Sequence, residues 1–358
     1  ELNTLEEALI QKIDALAENH ILPREDFVLL LENRNEALFD HACVKASAVR
    51  DEIYGKDVYM RGLIEFTNYC KNDCYYCGIR KSNQNASRYR LNKDEIISCA
   101  DYGYELGFKT FVLQGGEDAY YTDEKLCETV SEIKNRHPDC AVTLSVGERS
   151  PESYRKLRKA GTDRYLLRHE TADPAHYAML HPANLTAENR KKCLYELKSE
   201  GYQVGAGFMV ASPGQTKENL ADDLLFLHEL KPHMVGIGPF IPHKDTPFAN
   251  KPPGTLEETL FLISLIRLLL PDVLLPATTA LGTIHPKGRE MGIKAGANVV
   301  MPNLSPANVR KKYMLYDNKI CTGDEAAECV NCLSGRIKLT GYQLADSRGD
   351  HIRRTNNV

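Results

Sequence analysis

The spacing of apolar and polar positions changes character near residue 60. Before it, Leu5, Ala8, Leu9, Ile13 and Leu16 recur at helical spacing behind a Thr4–Glu7 capping-box pair. A second helix is expected after Pro23 and a third over residues 35–54, stopped by Gly55. From Gly62 onward, short apolar runs alternate with amphipathic stretches. Eight runs read as strands: residues 63–67, 110–114, 141–145, 164–167, 203–209, 234–238, 274–278 and 298–301. Helical segments separate them, among them 93–106, 123–136, 151–160 and 187–200. Several stop at a glycine that leads into the next strand, namely Gly107, Gly161 and Gly201. Such alternation implies parallel strands with crossover helices, and eight units match the size of a closed (β/α)8 TIM-type barrel. The expected division is an N-terminal helical extension (1–60), the barrel (61–303) and a C-terminal extension (304–358). The alternative is an open doubly wound sheet. No G-x-G-x-x-G follows any strand, so a dinucleotide-binding reading lacks its anchor.

Composition narrows the classes. Forty-five Lys and Arg against 49 Asp and Glu give the 358-residue chain a net charge of −4, without the basic footprint of a duplex binder. The longest apolar stretch, residues 260–275, is broken by Arg267 and Pro271 and is no membrane span. No signal-peptide pattern opens the chain, so a cytoplasmic location is expected; the chain starts without Met, which leaves a removed leader open. Five of the eleven cysteines, Cys43, Cys99, Cys127, Cys140 and Cys193, are scattered and read as small core residues. The other six form two clusters, Cys70, Cys74, Cys77 and Cys321, Cys329, Cys332, which suit metal or cluster ligation better than disulfides.

The first cluster has the spacing C-x3-C-x2-C, with the aromatic Tyr76 directly before its last cysteine. It follows the first barrel strand, at the end where barrel enzymes keep their sites. Three thiolates on one loop hold three irons of a [4Fe–4S] cluster, which normally takes four ligands. An open iron can chelate the amino and carboxylate groups of a methionyl moiety. A zinc site or three buried thiols are the alternatives, but zinc commonly takes four ligands and no fourth lies nearby. Neither H-E-x-x-H nor G-x-x-x-x-G-K-[ST] occurs.

This loop resembles that of the radical SAM superfamily, and the resemblance extends over the whole barrel. It implies a [4Fe–4S] cluster and S-adenosyl-L-methionine (SAM), cleaved to methionine and a 5′-deoxyadenosyl radical. It also implies roles for particular residues. Gln114-Gly115-Gly116-Glu117 is similar to the family's GGE motif, whose backbone and acid hold the methionine ammonium. Glu170 would accept ribose hydroxyls. Arg190 would pair with the SAM carboxylate, the alternative being a solvated helix charge. Residues 235–240 would form an adenine edge or simply pack the barrel.

Near the barrel mouth the chain offers Thr143, Ser145, Arg168, His169, Met234, Thr278 and Thr279, a set that suits a small anionic or polar ligand. The runs 164–171, 234–243 and 276–280 are similar to those of the HydE family of [FeFe]-hydrogenase maturases. The tail pattern Cys321-x7-Cys329-x2-Cys332 resembles an auxiliary iron–sulfur site of some members, with structural zinc as the alternative. The resemblance implies a task in assembling the hydrogenase di-iron site, with other hydrogenase maturases as partners. The substrate would be a small anionic cysteine-bound iron–carbonyl–cyanide precursor, with Arg168, Met234, Thr278 and Thr279 as candidate catalytic contacts. A methylornithine synthase-like mutase acting on lysine is the alternative, since it shares barrel and loop but leaves the tail cysteines unexplained. A biotin synthase would need further cysteines at strand ends, and Cys99, Cys127, Cys140 and Cys193 do not fall there.

Overall fold

Three helices, α1 (Leu2–Asn19), α2 (Arg24–Glu32) and α3 (Glu36–Tyr54), lead the chain in the computed structural model, which describes residues 2–321 and 326–355. The Thr4–Glu7 pair does not open its helix, because α1 already runs at Leu2. For α3 the expectation holds. Asn35 accepts from the Leu38 N–H at 2.8 Å, and Gly55 ends the helix at φ +64°, where a side chain would be strained.

The strands are β1 (Asp57–Met60), β2 (Gly62–Thr67), β3 (Thr110–Gly115), β4 (Ala141–Ser145), β5 (Arg164–Leu166), β6 (Gln203–Ala206), β7 (Met209–Val210), β8 (Met234–Val235), β9 (Gly238–Pro239), β10 (Val299–Val300) and β11 (Gln343–Leu344). Six of them form one parallel sheet in the order β2-β3-β4-β5-β6-β8. The crossovers include α4 (Lys93–Glu105), α5 (Asp123–Arg136), α6 (Pro151–Lys159), α7 (Pro174–Leu180), α8 (Ala187–Ser199), α9 (Lys217–Leu230) and α10 (Leu256–Leu269). Side chains of Asn92, Thr122, Ser150, Asp173, Thr186, Thr216 and Thr255 cap their first turns, which fixes each helix start locally.

Strand lengths differ from the sequence pattern where backbone crowding intervenes. The run 203–209 breaks after Ala206, because Gly207 passes so close to the Gly236 carbonyl that a Cβ would lie 1.9 Å from it. β7 therefore pairs separately with β9, and the run 234–238 splits into β8 and β9. The run 274–278 is not a regular strand. It makes only the isolated parallel bridges Met234↔Leu274 and Pro276↔Val299, since Pro276 has no N–H to give. A third bridge, Leu63↔Asn303, joins the segment after β10 to β2, with Leu63 N–H on Pro302 O at 2.9 Å.

β1 was not expected. It lies between β10 and β11 in a parallel three-stranded sheet, so the N-terminal extension and the tail are paired through it. α10 is apolar on all sides because it is covered on all sides, with α3 packed outside it. Its buried Arg267 donates to the carbonyls of Gly296, Pro271 and Val273 and to Asn298 Oδ1, which satisfies backbone acceptors beyond the last turn. Among the described residues no helix is long and apolar enough to cross a membrane. The tail also crosses the N-terminal ends of the strands. Arg164 on β5 grips Asp350 at 2.7 Å, Thr110 on β3 donates to Arg348 O, and Gln203 on β6 binds Asp350.

Candidate functional site

The loop after β2 is fastened before its chemistry begins. Arg88 donates to the carbonyls of Asn68, Ile79, Arg80 and Asn83, so one guanidinium ties both ends of the loop. Lys71 N–H binds Glu117 O, Tyr75 N–H binds Leu180 O and Gly78 N–H binds Leu315 O. Three cysteines are thereby held half-buried in one place. Burial pushes the Cys74 thiol up to about 12, partly offset by the nearby Arg190 charge. Cys77 is pushed further, by burial and by the charges of Cys74 and Cys70. Thiolates crowded in this way need cationic metal among them. Among the described residues, no three Cys, His, Asp or Glu groups converge tightly enough for a single metal ion. Three thiolates from one loop are the donor set that would hold three irons of a [4Fe–4S] cluster.

Gly116 lies against this loop. A Cβ there would be 2.1 Å from Tyr69 O and 2.8 Å from Cys70 Cβ, so only glycine lets the turn after β3 come this close. Beside it Glu117 Oε1 accepts the Glu148 N–H at 2.8 Å, and Lys71 Nζ is 3.5 Å from Oε2. Gly147, at φ +76°, leaves room for the Glu117 side chain. Tyr76 is held by His181. The His181 Nδ1–H donates to Tyr177 O at 2.9 Å, which leaves Nε2 to accept the Tyr76 hydroxyl at 2.9 Å. Burial lowers the His181 pKa to about 4, consistent with that neutral tautomer.

Behind the loop opens a cavity of about 360 Å³, a size that suits a small ligand. Cys77, Tyr76, Gln114, Gly115, Ser145, Arg168, Glu170, Arg190, Met234, Thr278 and Thr279 all line it, so one space gathers most of the residues singled out in the sequence. Glu170 takes φ +64°, and its Oε2 is buried without a hydrogen-bond partner. Arg168 Nε comes within 3.5 Å of Glu170 Oε1 without hydrogen-bond geometry, and among the described residues its Nε and one terminal nitrogen have no hydrogen bond. Such orphaned buried groups are costly unless a ligand meets them.

Arg190 is no solvated helix charge. Its side chain is 11% exposed, its Nε donates to Glu148 Oε1 at 2.7 Å, and NH1 donates to Arg168 O at 2.7 Å. Thr278 caps α11 (Thr279–Ile284) by position, and its hydroxyl donates to Ile237 O at 3.2 Å. Met234 accepts Arg61 NH1 on its sulfur at 2.9 Å while also facing the cavity. Four expected contacts do not line it. Gly116 and Glu117 sit beside the cysteine loop instead. His169 turns into the core against Asp223 at 3.0 Å, and Thr143 is fully buried on β4.

Sequence reasoning missed Glu148, Glu65 and Lys319. Lys319 Nζ is 2.7 Å from Glu65 Oε2 and 3.1 Å from Tyr313 O, while Asn303 donates to Glu65 Oε1 at 2.7 Å. Glu148 had a usable signal, an acid directly after the glycine that follows β4. Lys319 had none, because it reaches the cavity from the tail. In that tail Cys321 is buried, Cys329 is half-buried and Cys332 is exposed on the helix Val330–Leu339, while residues 322–325 between them lie outside the described residues.

The model of the Radical SAM superfamily matches residues 64–227. The [FeFe] hydrogenase maturase subunit HydE of Thermotoga maritima is 49% identical over 307 residues, covering 86% of this chain and 86% of that protein. The 3-methylornithine synthase of Methanosarcina acetivorans is 28% identical and covers 93% of each. Among solved structures, methylornithine synthase (PylB) superposes with a TM-score of 0.80 at 25% identity, over 93% of this chain and 97% of that one. HydG, a maturase of the [FeFe]-hydrogenase, superposes with a TM-score of 0.77 at 20% identity, over 94% and 77%, a likeness of fold.

Proposed function

We propose, from the premise that this chain belongs to the radical SAM superfamily and within it to the HydE family of [FeFe]-hydrogenase maturases, that its substrate is a small anionic, cysteine-bound iron–carbonyl–cyanide precursor of the di-iron site. The chain is a radical SAM enzyme and uses a [4Fe–4S] cluster and SAM. When bound, the reduced cluster supplies the electron that divides SAM into methionine and a 5′-deoxyadenosyl radical.

The protein's part is to hold, orient and shield. Cys70, Cys74 and Cys77 hold the cluster, with Tyr76 fixed beside them by His181. Glu117, kept in place by the Glu148 N–H, would accept from the methionine amino group, Arg190 would take the carboxylate, and Glu170 the ribose hydroxyls. Deeper in the cavity Arg168, with Met234, Thr278 and Thr279, receives the substrate anion. The observation that carries this reading is a set of atoms in the cavity wall without hydrogen bonds among the described residues: Arg168 Nε and one terminal nitrogen, beside the Glu170 carboxylate, and Glu170 Oε2. The first two ask for an anion and the last for a hydroxyl donor.

We further read the parallel sheet as closing into a (β/α)8 ring around this cavity. The bridges Met234↔Leu274, Pro276↔Val299 and Leu63↔Asn303 support that closure. Cys321, Cys329 and Cys332 are assigned an accessory iron–sulfur site. A reducing cytoplasmic setting, with other hydrogenase maturases as partners, goes with this reading.

The reconstituted, dithionite-reduced protein is expected to cleave SAM faster when given a cysteine-ligated iron–carbonyl–cyanide complex. Cys74→Ser is expected to lose the brown chromophore and the cleavage together. The fold shared with methylornithine synthase favours a lysine mutase as second reading. Deuterium passing from labelled lysine into 5′-deoxyadenosine, with no response to the iron complex, would establish that reading instead.

A further inference from the structure

We propose that the outer face of the cysteine loop is a docking surface for a small acidic one-electron carrier protein, which reduces the cluster through the Cys70 side. The inference rests on the assignment of Cys70, Cys74 and Cys77 to the cluster.

The loop has two faces. Cys77 lines the cavity, where SAM and substrate are bound, and Gly78 after it is buried against His243 and Met314. Cys70 instead lies between two exposed residues, Tyr69 and Lys71. An electron from outside therefore has its shortest covalent approach to the cluster through Cys70, on the face that leaves SAM undisturbed.

That face is cationic in a chain whose net charge is −4. Between Asn68 and Arg90 the chain carries Lys71, Arg80, Lys81, Arg88 and Arg90 against the single acid Asp73. Among the described residues Arg88 pairs with no carboxylate and is bound by carbonyls alone, so its charge stays uncompensated. Lys312 adjoins the same loop, its carbonyl accepting from Asn68 Nδ2 at 2.8 Å. Three acids offset part of this charge: Asp73 lies 3.7 Å from the half-buried Arg80, while Asp118 on Arg90 and Glu117 near Lys71 are largely buried and leave Lys71 and Arg90 outermost.

Aromatic surface completes the patch. Tyr69 and Tyr120 are 37% and 47% exposed, and the Arg90 guanidinium lies 3.9 and 4.8 Å from their ring centres. Lys125 Nζ stands 3.4 Å from the Tyr120 ring centre. Exposed Tyr held rigid by Arg is the composition of an interface centre, and a surrounding positive field steers an acidic partner into place. In the transfer, the reduced carrier gives one electron to the oxidised cluster and becomes oxidised by one; no bond, proton or group moves.

The test uses the cluster-loaded full chain and a photoreduced acidic ferredoxin. Lys81→Glu with Lys125→Glu, and separately Tyr120→Ala, are compared with the parent for ferredoxin Kd and for the stopped-flow rate of cluster reduction. The charge-reversed protein is expected to bind and be reduced at least roughly tenfold more slowly or weakly, with a flatter dependence on ionic strength. Tyr120→Ala is expected to weaken binding at every salt concentration. Iron content and SAM cleavage driven by excess dithionite should stay unchanged in both. Unchanged ferredoxin affinity and reduction rate in both variants would overturn the proposal. So would variants that keep ferredoxin binding but lose a di-iron scaffold protein. A parent chain that dithionite cannot reduce would refute the cluster assignment itself, a distinguishable failure.

Discussion

Gly116 and Arg190 mark how far single residues could be read. The glycine was expected in a turn near SAM, and the reason for it is the Tyr69 carbonyl lying where a Cβ would go. Gly116→Ala must push back the strand of loop that carries Cys70. Its iron content after reconstitution and its absorbance near 400 nm are expected to fall well below those of the parent while the fold, read by circular dichroism, persists. Arg190 was equally compatible with a solvent-facing charge on α8. Only the neighbouring Glu148 and the Arg168 carbonyl, brought in from other loops, turn it inward. The cysteine loop was legible because its spacing is local; the carbonyls that fasten it, of Glu117, Leu180 and Leu315, were not, because they come from distant segments.

The elements were legible wherever capping and periodicity act within a few residues. α5 starts at Thr122 and α6 at Ser150 as their side chains dictate. Strand ends were less so: Gly207 stops pairing through its contact with the distant Gly236 backbone, and Pro276 through its missing N–H. At the start of β8, His233 Nδ1 accepts the Val204 N–H at 3.0 Å, which requires an unprotonated nitrogen. Burial, with the charges of His351 and Arg353, lowers its pKa from 6.5 to about 3. The unfolded chain therefore takes up this proton more readily, so the contribution is present at neutral pH and is lost as pH falls through the window from about 6.5 towards 3. The expected loss is at most about 1.4 kcal/mol per pH unit. His233→Gln should show a shallower fall of Tm with acidification over that window than the parent, and equal slopes would contradict this account.

For the whole molecule, the decisive contact is Lys319 to Glu65, two buried groups 254 residues apart. It pins the tail against the cavity wall beside Tyr313. Removing one partner strands the other charge in the interior, so Lys319→Met is expected to cost about 3 kcal/mol in denaturant unfolding. Replacing both, as Glu65→Gln with Lys319→Met, removes the uncompensated charge and should recover much of that loss. A double variant as unstable as the sum of the two singles would show that the pair is not coupled. At the far end of the strands the same tail supplies Asp350 to Arg164, so one terminal segment touches both ends of the sheet.

Taken alone, the sequence determined the alternation of strands and helices, most helix starts, and three cysteines at one strand end beside a glycine turn. These depend on hydrophobic period, caps and spacing, which act between near neighbours. The tertiary structure alone decided that Arg190 faces inward, that His169 turns away from the cavity, that β1 joins the tail, and that Lys319 becomes part of the wall. Each of these depends on which distant group satisfies a buried charge or an open strand edge, and that choice exists only once the chain has closed on itself.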